Sequence, residues 1–221
     1  MMIVIVKRSD SRERMLGSAV QLLREQGYTG TGFRDVIDHS GAPRGSIYHH
    51  FPGGKAQLAE EAVVAARDYV STFIEAVKRE DDPVAMLRAF LDAFRPVLEP
   101  SGFRAGCPVV AVAAEAHDDA PQLADVAAEA FASWAEPFAA SLRRAGLSPA
   151  RARRLATLVV SAIEGAIVIC RAERDGRALD DVQRELEATL REALREAGAR
   201  PARASPASAR RARARGSSAG S

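Results

Sequence analysis

The stretch from Thr31 to Lys55, TGFRDVIDHSGAPRGSIYHHFPGGK, leaves this chain the least freedom. It reads as two short helices joined by a tight turn, followed at once by the start of a third helix. Phe33, Val36 and Ile37 place one apolar stripe on the first helix. Gly41 ends that helix, because glycine accepts the left-handed backbone a helix terminus often needs. Pro43 opens the second helix, where its missing N–H matters little. Ile47 and Phe51 face inward from it. Arg44, Ser46, Tyr48 and His49 face solvent, and none of the four is acidic. Such a face suits DNA: arginine bonds guanine edges or phosphates, and serine, tyrosine and histidine bond phosphate oxygens. Gly53-Gly54-Lys55 adds an anion site, since unpaired N–H groups at a helix start attract phosphate and Lys55 brings a full charge.

A chain of 221 residues holds one large domain or two small ones. Apolar residues are 47% and aromatics only 5%, with alanine abundant, so a core is available and helices are favoured over sheets. Cys107 and Cys170 have neither metal-ligand nor disulfide-framework spacing, and a reducing cytoplasm is the simplest setting. No apolar stretch approaches the roughly 20 residues of a membrane span. Met2–Val6 falls short of the roughly 7–15 apolar residues of a signal core, and residues 1–9 read as a frayed, disordered leader or as the result of an upstream start codon chosen in error.

The net charge of +2 hides a division: +3 over residues 1–55, −7 over 56–197 and +6 over 198–221. A polyanion attracts the front and the tail and repels the middle. After Gly198 the chain turns to Ala, Arg, Pro, Ser and Gly, a composition expected to be disordered, with arginines able to touch a DNA backbone without reading sequence.

Helical spacing accounts for the remainder. A first helix over 10–26 ends at Gly27, with Asp10 and Glu13 at capping-box spacing. A fourth runs from Gly54 to about Arg79 and joins front to middle. The fifth covers 83–98, with Pro96 expected to kink it. Cys107–Ala114 is ambiguous between buried strand and buried helix, and helix is preferred because Pro108 fits a first turn and no partner strand is visible. The seventh follows Pro121, with Pro137 expected to bend it. The eighth covers about 149–174 and the ninth about 179–197.

Gly27-Tyr28-Thr29-Gly30-Thr31, Val36-Ile37, Gly45-Ser46-Ile47-Tyr48-His49-His50-Phe51 and Lys55 together resemble the amino-terminal domain of TetR-type transcriptional regulators. Phe51-Pro52-Gly53-Gly54-Lys55, with Gly106-Cys107-Pro108, is similar to the LmrA/YxaF-like branch. Gly32 and Pro43 depart from the hydroxyl residues common at those places. The resemblance implies an all-α fold of about nine helices. It has a three-helix helix-turn-helix head at 10–55 and a ligand-binding, dimerising body at 56–197. It also implies a homodimer on a palindromic operator, a small and largely apolar effector, and repression as the usual sign.

Among head residues, Lys55 and Tyr48 are the expected phosphate ligands. Arg44, Ser46 and His49 are expected to reach bases, Thr31 and Arg34 to meet backbone phosphates, and Gly45 to matter by the absence of a side chain. His50 is expected to be packed. In the body, Phe90, Phe94, Cys107, Val110, Phe131 and Trp134 are the candidate pocket, against the plainer reading of an aromatic core. Leu155, Val159, Ala162, Ile163 and Ala166, with Val182, Leu186 and Leu190, are the candidate dimer face, against their being buried within one subunit. Cys107 is weighed as a redox sensor and read as more simply inert. Glu115, His117, Asp118 and Asp119 form the one polar cluster suited to acid–base work, which a solvated helix end explains equally well. No enzyme, cofactor or metal site is expected. The runner-up reading is a helical small-molecule-binding or scaffolding protein without sequence-specific DNA binding.

Overall fold

The computed structural model describes residues 11–77, 82–115 and 120–199. The described residues contain nine helices and no strand: α1 (Ser11–Gly30), α2 (Phe33–Ser40), α3 (Ser46–His50), α4 (Gly54–Val77), α5 (Pro83–Leu98), α6 (Pro108–Glu115), α7 (Gln122–Arg144), α8 (Pro149–Glu173) and α9 (Arg177–Ala199). The leader, Asp10, the His117–Asp119 cluster and the tail beyond residue 199 lie outside the described residues.

The front packs around Met15, Ala19, Leu22 and Leu23 of α1, Val36 of α2, Ile47 of α3, Phe51, and Leu58 and Ala62 of α4, all buried. On α1 and α4 these residues recur every three or four positions, so one face of each is dehydrated. Gly27, at φ 76° and ψ −179°, breaks α1 before its last turn. Gly41 ends α2 at φ 63°, its N–H donating to the Ile37 carbonyl at 3.0 Å.

The second helix differs from expectation. Pro43, Arg44 and Gly45 form a turn closed by the Ser46 N–H on the Pro43 carbonyl at 3.0 Å, and the helix begins only at Ser46. Glycine at position 45 weakens helix propagation from Pro43, and the three-residue closure takes its place.

The body is a layered bundle. α4 packs on α1 in front and on α5 and α7 behind, and α8 lies between α7 and α9. The ambiguous Cys107–Ala114 run is helix from Pro108 onward, with Val109 and Val112 buried. α5 and α7 continue through Pro96 and Pro137 without a break. Phe94 and Leu98 are buried on either side of Pro96, and Trp134 and Phe138 on either side of Pro137, and that packing holds the helices across the missing hydrogen bonds. Arg88 grips Glu187 at 2.8 and 2.9 Å and fastens α5 to α9. The Arg88 hydrogen bonds, with further help from Gln183 and Arg191, hold the Glu187 carboxyl down at about 2.

Against the expectation that no stretch nears membrane-span length, α8 contains an 18-residue window of mean hydropathy 1.9. Half of that window is buried inside the body. The excess apolarity lies on the side away from α7 and α9, where Leu158, Val168 and Ile169 are exposed.

Candidate nucleic-acid interface

Ile47 and Phe51 are fully buried and pin α3 to the front core. Around them Arg44, Gly45, Tyr48 and His49 are exposed, and Ser46 is half-exposed. Tyr48, 68% exposed, is steadied by an edge contact to Phe33 at 5.4 Å between ring centroids. The Ser46 hydroxyl donates to the Pro43 carbonyl at 2.7 Å, leaving its lone pairs outward. Arg34 is exposed in the first turn of α2, and its Nε lies 3.7 Å from Asp38 Oδ2. His50 is packed as expected: its Nε2 lies 3.0 Å from the Ser11 Oγ.

Gly45 is informative because nothing inside the fold requires it. Its φ of −79° is open to any residue, and a Cβ there would meet no atom within 4 Å. As the residue that opens α3 it supplies no side-chain cap, which serine, threonine, asparagine or aspartate would provide. Its presence on an exposed cationic rim fits a backbone that something external approaches closely.

Two expected phosphate ligands are placed differently. Thr31 is buried at 4% exposure, and its hydroxyl donates to the Gly27 carbonyl at 2.7 Å. It braces the broken end of α1 and is not on the outer surface. Lys55 Nζ lies 4.5 Å from the Tyr28 ring centroid and donates to the Thr29 carbonyl at 3.2 Å. The Gly53 N–H at the start of α4 is already engaged by the Gln57 side-chain oxygen at 2.7 Å. Lys55 therefore staples α4 to the end of α1, with two ammonium donors beyond the Thr29 bond.

That end of α1 is held by the body as well. The Gly106 N–H donates to the Arg24 carbonyl at 2.9 Å, Arg171 Nη2 to the Glu25 carbonyl at 3.2 Å, and the Thr29 N–H to Glu115 Oε2 at 2.6 Å. Partial burial pushes the Glu115 carboxyl up, but N–H donation from Thr29 and Tyr28 with the Lys55 charge outweighs it, and its pKa falls below the ordinary value. A Cβ on Gly27 would lie 2.1 Å from Glu115 Oε1, so this glycine answers both to its positive φ and to a close approach. Glu115, considered above for acid–base chemistry, is a clasp between α6 and α1.

In the body, Phe90, Phe94 and Trp134 are buried against one another, with centroid separations of 5.5, 5.6 and 6.4 Å. They fill the core rather than line a cavity. The other pocket candidates do line space. Phe131 borders a cleft of about 370 Å³ between α7 and α8, and Cys107 and Val110 border a second cavity of about 310 Å³ reaching Gly27. Burial and the neighbouring Glu164 raise the Cys107 thiol well above its ordinary value, which disfavours the thiolate a redox sensor needs.

The expected dimer face is also corrected. Leu155, Val159, Ile163, Ala166, Leu186 and Leu190 are buried within the subunit, and Ala162 and Val182 are half-buried. The apolar residues α8 leaves outward are Leu158, Val168 and Ile169, with Gly165 exposed among them. Sequence reading also passed over Glu164, whose signal was a lone acid inside an apolar run.

A two-helix reader braced by α1 on a helical body defines a helix-turn-helix DNA-binding regulator. The comparisons narrow that class. Residues 16–62 match the family model described as bacterial regulatory proteins, tetR family, and residues 83–185 match the one described as transcriptional regulator LmrA/YxaF-like, C-terminal domain. A helix-turn-helix-type transcriptional regulator of Mycobacterium tuberculosis is 43% identical over 190 residues, covering 84% of this chain and 96% of the relative. The regulator LmrA of Bacillus subtilis is 39% identical over 161 residues, covering 72% and 86%. A TetR transcriptional regulator from Legionella pneumophila shares the fold, with a TM-score of 0.76 at 20% identity over 83% of this chain and 98% of that one. The chain belongs to the TetR family of transcriptional regulators, within its LmrA/YxaF-like branch. Regulators of this family bind DNA and act as dimers.

Proposed function

We propose that a homodimer of this chain acts in the cytoplasm on a palindromic operator, as a repressor released by a small, largely apolar effector held in the body. The division falls between a DNA-reading head at about 10–55 and an effector-binding, dimerising body at 56–197. The observation that carries the reading is the rim of α3, where exposed Arg44, Tyr48 and His49 surround a glycine that the fold itself does not need. Arg44, Ser46 and His49 reach base edges. Tyr48 and Arg34 meet phosphates, and Lys55 adds its remaining donors after holding Thr29.

Two copies join through the outward face of α8, where Leu158, Val168 and Ile169 lose water and Gly165 lets the helices cross closely. Their heads enter successive major grooves with half-sites about 34–36 Å apart. The experiment is selection of genomic fragments by the purified full-length protein, followed by competition with random duplex. Recovery of a palindrome bound at least about 10³-fold tighter than random duplex supports the reading. Uniform, salt-limited binding to every duplex overturns it.

A further inference from the structure

Glu164 stands in the middle of α8 in the run Ile163-Glu164-Gly165-Ala166-Ile167. It is 6% exposed, and its carboxyl oxygens have no N–H or O–H donor; the neighbouring Cys107 thiol, a weak donor, is the one polar group beside them. Native chains rarely keep a buried carboxyl in that condition, because its lost hydration is not replaced. Glu164 also sits on the wall between the two body cavities and lines both. On one side is the α7–α8 cleft of about 370 Å³, whose other walls are Phe131, Ala132, Ala135, Thr157, Val160 and Ser161. No basic side chain lines that cleft.

From this geometry we infer that the α7–α8 cleft takes a small organic cation, an ammonium group on a largely apolar frame. Its charge pairs with Glu164, and its frame lies against Phe131, Ala135 and Val160. The inference rests on the effector reading above and gives that effector a chemical class. An anion is excluded, since burying it beside Glu164 with no cation at hand leaves two like charges uncompensated. A neutral hydrocarbon fills the space but leaves the carboxyl unpartnered. An ammonium satisfies it, and the Phe131 face adds attraction for a cation.

The other ionisable groups near Glu164 do not supply the missing charge. The Cys107 thiol is its neighbour from the start of α6. Across the second cavity lie Arg171, Glu25 and Glu115; Arg171 is donating to the Glu25 carbonyl at 3.2 Å, and Glu115 accepts from Thr29. Burial pushes the Glu164 carboxyl up to about 8. Near neutral pH the empty site therefore holds a proton. A cation that arrives already charged displaces it, leaving a carboxylate–ammonium pair and one proton in solvent. Neutral ligands release none. Affinity for a quaternary ammonium rises about tenfold per pH unit toward 8 and then levels.

The test is calorimetric titration of the full-length protein with primary, tertiary and quaternary aryl-alkyl ammonium compounds. Each is paired with its isosteric neutral alcohol or hydrocarbon, at neutral pH in two buffers of different ionisation enthalpy. The expected result is a cation bound at least about tenfold tighter than its twin, with close to one proton released. Glu164→Gln brings the cation down to its twin and abolishes the release. Ala135→Leu, which fills the cleft from the α7 wall, weakens cation and twin together. If no cation in the panel outbinds its twin, or if Glu164→Gln keeps the preference, the site is overturned. Conversion of the dimer to monomer by Glu164→Gln also overturns it, because a second copy is then the partner of that carboxyl. Operator release is read separately. Cations that bind with proton loss but leave the protein on DNA support this site and overturn the effector reading. Release by neutral compounds alone supports the effector reading and overturns this site.

Discussion

A methyl group added at Gly45 separates folding from reading. The position has open space and an ordinary backbone, so Gly45→Ala should melt within about 1 kcal/mol of wild type, while operator affinity falls at least about tenfold. Thermal melts and a binding isotherm on one preparation check both halves; unchanged affinity removes the close approach assigned to α3. Lys55→Ala tests a residue with two duties. It should flatten the salt dependence of DNA binding by about one phosphate contact and also lower the melting temperature, since the Tyr28 and Thr29 contacts go with it. Glu164 makes a prediction about pH. Its folded pKa is raised from 4.5 to about 8, so between those values the folded chain holds a proton that the unfolded chain has lost. Stability should fall by up to about 1.4 kcal/mol per pH unit across that window and level above it. Glu164→Gln should lack this slope when melts are compared across the same range. The side chains themselves were plain in the sequence, but their duties were not. Thr31 and Lys55 carry the groups a phosphate wants, and the same groups suit the carbonyls of a broken helix end.

α8 has two apolar faces with different destinations. Its inner face is buried against the body, and its outer face carries Leu158, Val168 and Ile169 around Gly165. Leu158→Asp combined with Ile169→Asp should give a monomer with unchanged helical content, read by sedimentation and circular dichroism. A persistent dimer would move the contact elsewhere. Gly165→Ala should raise the melting temperature of that monomer, since alanine in a helix is worth up to about 1 kcal/mol over glycine. Most elements were legible because the proline, glycine and capping residues that bound them act locally. α5 lies at the expected Pro83–Leu98, and the Cys107–Ala114 run is helical, as expected, from Pro108. Partner choice is not local. Periodicity marked Leu155, Val159 and Leu186 as apolar, but only packing decides that they meet their own subunit and not a second copy. The same limit applies to Phe90 and Trp134, which any aromatic stripe presents equally as core or as cavity wall. α3 begins three residues later than Pro43 predicts, because a proline that can open a helix can equally open a three-residue turn.

At the scale of the whole molecule, α4 runs unbroken from the reading head into the body, and the end of α1 is clasped by α6, α8 and the Gly106 loop. A ligand in the proposed α7–α8 site would bear on Glu164, whose neighbour Cys107 follows the Gly106 that holds α1. Spin labels at Asp38→Cys in the two heads of a dimer should therefore report different separations with and without effector; identical distance distributions would remove this route of release. The clasp also bears on how such proteins are recombined. A fragment ending after α4 would leave the Arg24 and Glu25 carbonyls and the Thr29 N–H without the partners they have here. Chimeras that exchange readers between relatives should hence fold well only when the donor's Gly106 loop, the tip of α6 and Arg171 travel with the transplanted piece.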